Sequence, residues 1–256
     1  MADLSPGPAP ISQTIDDRIL VRGHDLVDEL IGRVGFTEMF LLDLHGEIPP
    51  PAHVRVVEAV LVTTMEHGIT PSTLTARLVL DGAPESTQGA VAAGLLACGS
   101  RFVGVTEQVA EFLREICAAA AHDTLETVVR TRVGDVLAAG GKVPGFGHNL
   151  HHRIDPRVAR LVELAKRENV FGTHLTALHE VERCLSASSG PPLLMNAAGV
   201  TGALLSDLGY APSTIRGLGL VARCAGLLAH VVDEQRRAIG RDVWQRAHET
   251  FGEGES

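Results

Sequence analysis

Residues 142–167 read KVPGFGHNLHHRIDPRVARLVELAKR, a stretch that holds both a helix signature and a cluster of reactive side chains. Asp155 followed by Pro156 is an N-cap with proline at the first helical position. The carboxylate accepts hydrogen bonds from first-turn amides that have no partner inside the helix, and the proline ring presets φ. The helix predicted from there runs to about Arg167, with Val158, Leu161, Val162 and Ala165 at the three- and four-residue spacing of one buried face. The same spacing recurs at Leu26, Leu30, Ile31 and Val34. Working outward, helices are expected from Pro50 or Pro51 to about Glu66, from Ser72 to Leu80 with Asp81-Gly82 as the stop, and from about Ser213 to Ile239 with Gly240 as the stop. Strand-like alternation is scarce, and the short run Lys142–Phe146 sits among glycine and proline, so almost no sheet is expected. The fold class that follows is all-α.

The chain has 256 residues, 45% hydrophobic and 21% charged, which excludes a small disulfide scaffold and long-range disorder. Lys and Arg number 22 against 31 Asp and Glu, a formal charge of −9, and no basic run tracks a phosphate backbone. Nucleic acid is therefore not an expected partner. The small-apolar stretch Gly89–Gly99 is too short to span a bilayer, so no membrane association is expected. Residues 1–12 carry Asp3, Pro6, Pro8 and Pro10 with no apolar core and read as a flexible leader, not a signal peptide. Cys98, Cys117, Cys184 and Cys224 are widely spaced with no C-x-x-C pair, which fits reduced thiols in a cytoplasmic protein and offers no metal site. The last residues, Gly252–Ser256, are expected to fray.

Several residues stand out chemically. In Gly145-Phe-Gly-His148 two glycines let backbone approach a ligand while His148 offers a proton carrier; the same turn also reads as a plain helix connector. Arg157 is either an anion clamp, through its planar bidentate fork, or a surface ion pair with Asp155. His67, between one helix end and the Thr70-Pro-Ser72 start of the next, either points into a cleft or caps a helix. Arg223 lies deep in the apolar run Leu218–Leu228 and needs an anion, supplied by a neighbouring carboxylate or by a substrate. It shares a helix face with His230. Gly217-x-Gly219-x-x-Ala222 follows no predicted strand, so dinucleotide binding has no support. Neither the serines nor the cysteines carry a nucleophile-elbow signature.

Taken together, these motifs resemble the citrate synthase superfamily, and within it the short citryl-CoA lyases and the C-terminal lyase module of ATP citrate lyase. The resemblance spans about residues 13–246. It rests on Lys142-Val-Pro-Gly-Phe-Gly-His148 with Asp155-Pro-Arg157, on Leu44-His-Gly-Glu-Ile-Pro49, on Glu66-His-Gly68 with Pro71-Ser72 and Thr75-Ala-Arg77, on Ala90-Val-Ala-Ala-Gly94, and on Arg223 with His230. It implies an all-α homodimer in which a large domain (residues 13–102 and 209–256) carries an inserted small domain (residues 103–208), with a cleft between them. It implies carbon–carbon bond chemistry on an acyl-CoA, with coenzyme A present as part of the substrate and no tightly bound cofactor. By resemblance, His67 and His148 contact the hydroxyl and carboxylates of the polyacid half, Arg157 and Arg223 clamp its carboxylates, and the turn Pro144, Gly145, Phe146 and Gly147 approaches the coenzyme. Arg241 resembles, more loosely, an arginine contributed by a partner subunit.

Two departures shape the functional expectation. Phe102 stands where citrate synthases carry a histidine that polarises the thioester carbonyl, and citryl-CoA lyases resemble this chain there, which favours cleavage. Asn196-Ala-Ala-Gly199 stands where the family has Asn-x-Asp-Gly, so Ala198 replaces a proton-transferring aspartate. The expected function is a lyase cleaving citryl-CoA or a related 3-hydroxyacyl-CoA by retro-aldol chemistry, with His148 as base and water, or a group such as Glu66, as the proton source. A larger acyl chain would suit the altered thioester side. A hydratase or thioester hydrolase, and a non-catalytic CoA- or carboxylate-binding paralogue, are the alternatives.

Overall fold

The computed structural model describes residues 9–147, 155–187 and 193–252. Its first element is one that hydropathy does not reveal. Asp16 and Asp17 both take positive φ, 47° and 64°, as do Arg22 and Gly23 at 51° and 87°. Paired left-handed residues are the geometry of two-residue hairpin loops, whose twist matches that of the flanking strands. They join β1 (Ser12–Ile15), β2 (Arg18–Val21) and β3 (His24–Asp25) into an antiparallel sheet, with Ile15 opposite Arg18 and Leu20 opposite Asp25. Alternation of apolar residues marks a strand only where one face is buried. Here Ile15 and Ile19 remain exposed and Val21 alone of these strands enters the core as a hydrophobe, beside Leu30 and Leu42. Ser12, expected in the leader, is the first residue of β1.

Asp25 then caps a π-helical turn, Leu26–Leu30, its Oδ1 accepting from the Val27 and Asp28 amides at 2.9 and 3.0 Å. The helical spacing read there is real but stops early, and Ile31 is exposed. The remaining elements among the described residues are helices: α1 (Phe36–His45), α2 (Pro51–Met65), α3 (Pro71–Gly82), α4 (Thr87–Leu96), α5 (Val105–Ala119), α6 (Leu125–Ala138), α7 (Pro156–Arg167), α8 (Thr173–Ser186), α9 (Ala197–Asp207), α10 (Pro212–Arg236) and α11 (Gly240–Phe251). The class is all-α, as expected, with one small sheet added.

Proline opens α2, α3, α7 and α10, and α7 keeps the expected bounds. Two stop signals act differently from expectation. α3 continues through Asp81-Gly82, and Gly240, expected to end the long helix, is the first residue of α11. For Gly240 the cause is a carboxylate: Glu234 Oε1 accepts from its amide at 2.7 Å and satisfies a helix-start donor.

Among the described residues, three clusters join the helices. One joins α5, α6, α7, α8 and α9 through Leu113, Ile116, Val129, Leu161, Leu178 and Leu204. A second joins α1, α2 and α10 through Leu41, Val57 and Leu218, and a third joins α3, α4 and α10 through Leu80, Ala90 and Leu227. α10 is central to two of them. By length and composition α10 could cross a membrane, a property that Gly89–Gly99 lacks. In this fold it packs against α2, α3, α4 and α5. Its crossing with α2 is made close by Gly226, where a Cβ would sit 2.0 Å from the Met65 carbonyl oxygen. That contact seats the end of α2, and with it Glu66 and His67, against the central helix.

Candidate functional site

A cavity of about 670 Å³ opens between α2, α3, α5, α7, α9 and α10. His67, Arg157 and Arg223, far apart in sequence, all line it, as do Phe146 and Gly147. Phe102 and Ala198, the two departures from the family pattern, are wall residues too. His148 lies outside the described residues; it directly follows Gly147.

The turn before His148 is built by paired backbone. The Gly147 amide donates to the Leu194 carbonyl at 2.9 Å and the Asn196 amide to the Gly145 carbonyl at 3.0 Å, with Phe146 bridged to Met195. Asn196 fastens both sides: its Nδ2 donates to the Gly147 carbonyl at 2.8 Å while its Oδ1 accepts from the Gly199 amide and caps α9. Gly145 (φ 86°) meets Gly199 so closely that a Cβ on Gly199 would lie 2.7 Å from the Gly145 oxygen. The glycine at 145 thus serves backbone packing, and neither it nor Pro144 is among the cavity-lining residues. Within the turn, the residues that line the cavity are Phe146 and Gly147.

Asp155 organises the start of α7. Its carboxylate accepts from the Arg157 amide at 3.0 Å, from Arg157 Nε at 2.9 Å and Nη2 at 2.8 Å, and from the Ala197 amide at 3.3 Å. Burial works to raise this carboxyl, and the Arg157 hydrogen bonds outweigh it and hold it below the usual range. Of the two readings of Arg157, the structure bears on the ion pair alone. Arg157 is paired with Asp155, but Asp155 is only 4% exposed, so this is no surface pair. The pair presents an oriented guanidinium at the cavity wall.

Arg223 is 8% exposed, and its Nη1 has no hydrogen-bond partner among the described residues. Burial pulls its basicity down, the direction expected of a cation without a close counter-ion; Cys98 and Glu66 act only weakly against it. Of the two anion sources left open by the sequence, the described neighbours supply none to Nη1. His230, two turns further along the same helix, is not among the cavity-lining residues. Its Nδ1 accepts from Arg77 Nη2 at 2.9 Å and its Nε2 meets Glu66 Oε1 at 3.1 Å. Arg77, buried, also binds Glu234 at 2.6 Å and Asp233 at 2.7 Å.

Glu66 is not placed to donate a proton. Its Oε1 accepts from the His67 and Gly68 amides at 2.9 and 2.6 Å and from His230, and it does not line the cavity. Burial would raise its carboxyl; the His230 and Gly68 hydrogen bonds prevail and lower it. It is the cap that shapes the turn carrying His67. Arg241 pairs with Asp81 at 3.4 Å.

Sequence reasoning did not single out three residues that line the cavity: Arg101, Thr201, and Lys142, which was read only as part of a motif. Among the described lining residues there is no carboxylate, while three guanidinium groups, one ammonium and one imidazole are present. In a chain of net charge −9 this is a local inversion of sign.

Comparison with known proteins agrees with this architecture. A family model described as the citrate synthase C-terminal domain matches residues 19–242. A citryl-CoA lyase from Hydrogenobacter thermophilus has a similar structure, with 32% identity, a TM-score of 0.79, and coverage of 88% of this chain and 86% of that one. An ATP citrate lyase from Methanosaeta concilii, solved with (3S)-citryl-CoA, shares the fold at 24% identity and a TM-score of 0.76, over 96% of this chain and 41% of that one. Citrate synthase 2 of Bacillus subtilis is 28% identical over 204 residues, 78% of this chain and 52% of that protein. The chain spans about half the length of the curated citrate synthases it matches. With the family model covering most of its length, the chain belongs to the citrate synthase family.

Proposed function

We propose that the protein is a CoA-thioester carbon–carbon lyase that cleaves a hydroxylated polycarboxyl acyl-CoA, such as citryl-CoA or a related 3-hydroxyacyl-CoA. One observation carries the reading: a cavity whose described charged groups are all basic, one of them a buried guanidinium nitrogen without a partner. A polycarboxylate thioester matches that charge pattern. Arg157 and Arg223 hold its carboxylates with His67 beside them, supplying orientation and charge complementarity. Arg101 and Lys142 meet phosphate oxygens of the coenzyme, and Phe146 and Gly147 meet its thioester end. His148 takes the β-hydroxyl proton, the carbonyl forms, and the carbon–carbon bond breaks to release the acyl-CoA enolate.

Cleavage rather than synthesis is favoured by Phe102 in the wall and by the likeness to a protein described as a citryl-CoA lyase. In this reading residues 13–102 and 209–256 are the large domain and 103–208 the small one. Wall residues from both sets, such as His67 with Arg223 and Phe146 with Arg157, support a cleft at their junction. The enzyme works as a homodimer and draws coenzyme A only as part of its substrate.

The test is incubation with a panel of 3-hydroxyacyl-CoA thioesters including citryl-CoA, with products identified by mass spectrometry. A carbonyl acid together with a shortened acyl-CoA is the expected outcome. Free CoA without a carbonyl product means hydrolysis. Calorimetric binding without turnover, unaltered by His148→Ala, means a non-catalytic binding subunit.

A further inference from the structure

Six hydroxyl side chains among the described residues line the cavity: Thr63, Thr64, Thr70, Ser72, Thr106 and Thr201. Five are engaged. Thr63 donates to the Ala59 carbonyl at 2.7 Å and Thr64 to the Val60 carbonyl at 2.9 Å; Thr70 and Ser72 bond each other at 2.9 Å; Thr106 donates to the Val103 carbonyl at 2.9 Å. Thr201 is the exception. It is 2% exposed, and its Oγ1 has no partner among the described residues. A threonine inside a helix ordinarily returns its hydroxyl to a carbonyl one turn back, as Thr63 and Thr64 do. Leaving a buried hydroxyl without a partner costs stability, so a ligand or water is its natural complement.

Its position says what that complement is for. On α9, Thr201 lies three residues beyond Ala198, one helical turn along the same face, and both line the cavity with Leu205 another turn on. Asn196, the other polar side chain on that wall, is committed to the Gly147 carbonyl and the Gly199 amide. The wall therefore holds a methyl group at 198, which leaves room, and one uncommitted hydroxyl directly beneath it.

We propose that Thr201 is a positioning residue that holds a water in the space beside Ala198, and that this water protonates the enolate carbon. The inference rests on the lyase reading above. The step balances: the base takes the β-hydroxyl proton, the carbon–carbon electron pair passes into the acyl-CoA enolate, the water gives its proton to the enolate carbon, and the resulting hydroxide recovers the proton from the base. No water is consumed.

The experiment compares wild type, Thr201→Val and Thr201→Ser with citryl-CoA or whichever thioester the wild type cleaves. Valine keeps the volume and removes only the hydroxyl. Loss of a hydrogen bond made to a developing charge lowers kcat by about 10- to 100-fold, with KM nearly unchanged. Thr201→Ser recovers most of the rate. The solvent deuterium isotope effect on kcat rises in the valine variant as protonation becomes limiting, a signature a merely structural role would not produce. Thermal unfolding confirms that the valine variant is folded. Unchanged kcat and isotope effect in Thr201→Val, with an active wild type, overturn the proposal. An inactive wild type overturns the lyase reading and removes the basis of the inference with it.

Discussion

Replacing Arg223 with methionine should leave stability equal to or above that of wild type and weaken binding of a polycarboxylate in the same molecule. The guanidinium is 8% exposed and its Nη1 has no partner among the described residues. A buried donor left unsatisfied costs about 1–3 kcal/mol, more when charged. Methionine retains the apolar stem that packs along α10 and removes the cation, so Arg223→Met is expected to be between neutral and about 2 kcal/mol more stable than wild type. Urea unfolding followed by circular dichroism reads this as a midpoint at or above that of wild type with unchanged slope. Binding moves the other way. A guanidinium paired with a ligand carboxylate in a desolvated site contributes about 2–4 kcal/mol, so the Kd for a polycarboxylate or its CoA thioester rises about 30- to 1000-fold by calorimetry. A loss of more than about 1 kcal/mol in stability would show that Arg223 has a structural counter-ion in the protein. That result refutes the account of it as a cation reserved for substrate.

Three further outcomes follow from the same contacts. Asp155→Asn weakens the cap of α7 and the bidentate hold on Arg157, lowering stability by about 2–3 kcal/mol in urea. Because the folded Asp155 carboxyl is depressed below its ordinary 3.8, its stabilisation is complete above that pH and is lost as pH falls through the lower folded value, so the wild-type and asparagine unfolding curves converge in strong acid. Glu66→Gln leaves the fold within about 1 kcal/mol of wild type, since the side chain is more than half exposed; kcat/KM falls about tenfold as the turn bearing His67 loosens. Gly226→Ala forces a methyl group onto the Met65 carbonyl and lowers stability by about 2–3 kcal/mol, measured as a reduced Tm.

Helices with local signals were legible from sequence. Asp155-Pro156 predicts the start of α7 to the residue because both the capping acceptor and the fixed φ are encoded at two adjacent positions. The hairpin was not legible, since its strands bury too little apolar surface to alternate and its turns rely on aspartates and an arginine instead of glycine alone. Gly240 misled for a different reason: a glycine after a helix reads as a stop, but Glu234, six residues earlier, supplies the acceptor that lets a new helix begin there. Among site residues, His67, Arg157 and Arg223 stood out because charged side chains beside glycine, proline or apolar runs are anomalous. Thr201 did not, because a threonine in a helix is ordinary until its neighbours are known. Glu66 read as a candidate acid only because sequence does not show the two amides and the imidazole that bind it.

Local chemistry in the chain determined the helices, their proline starts, the reactive residue types and, through motif order, the family. Those properties depend on residues within a turn or two of one another. Tertiary structure alone decided which charges are neutralised and which face the cavity: Arg77 is matched by Asp233 and Glu234, Arg157 is half-committed to Asp155, and Arg223 Nη1 is left without a described partner. The reason is range. Capping and periodicity act along the chain, whereas the balance of a buried charge depends on groups as much as 157 positions away that only the packing of α3, α7, α9 and α10 brings within a few ångströms.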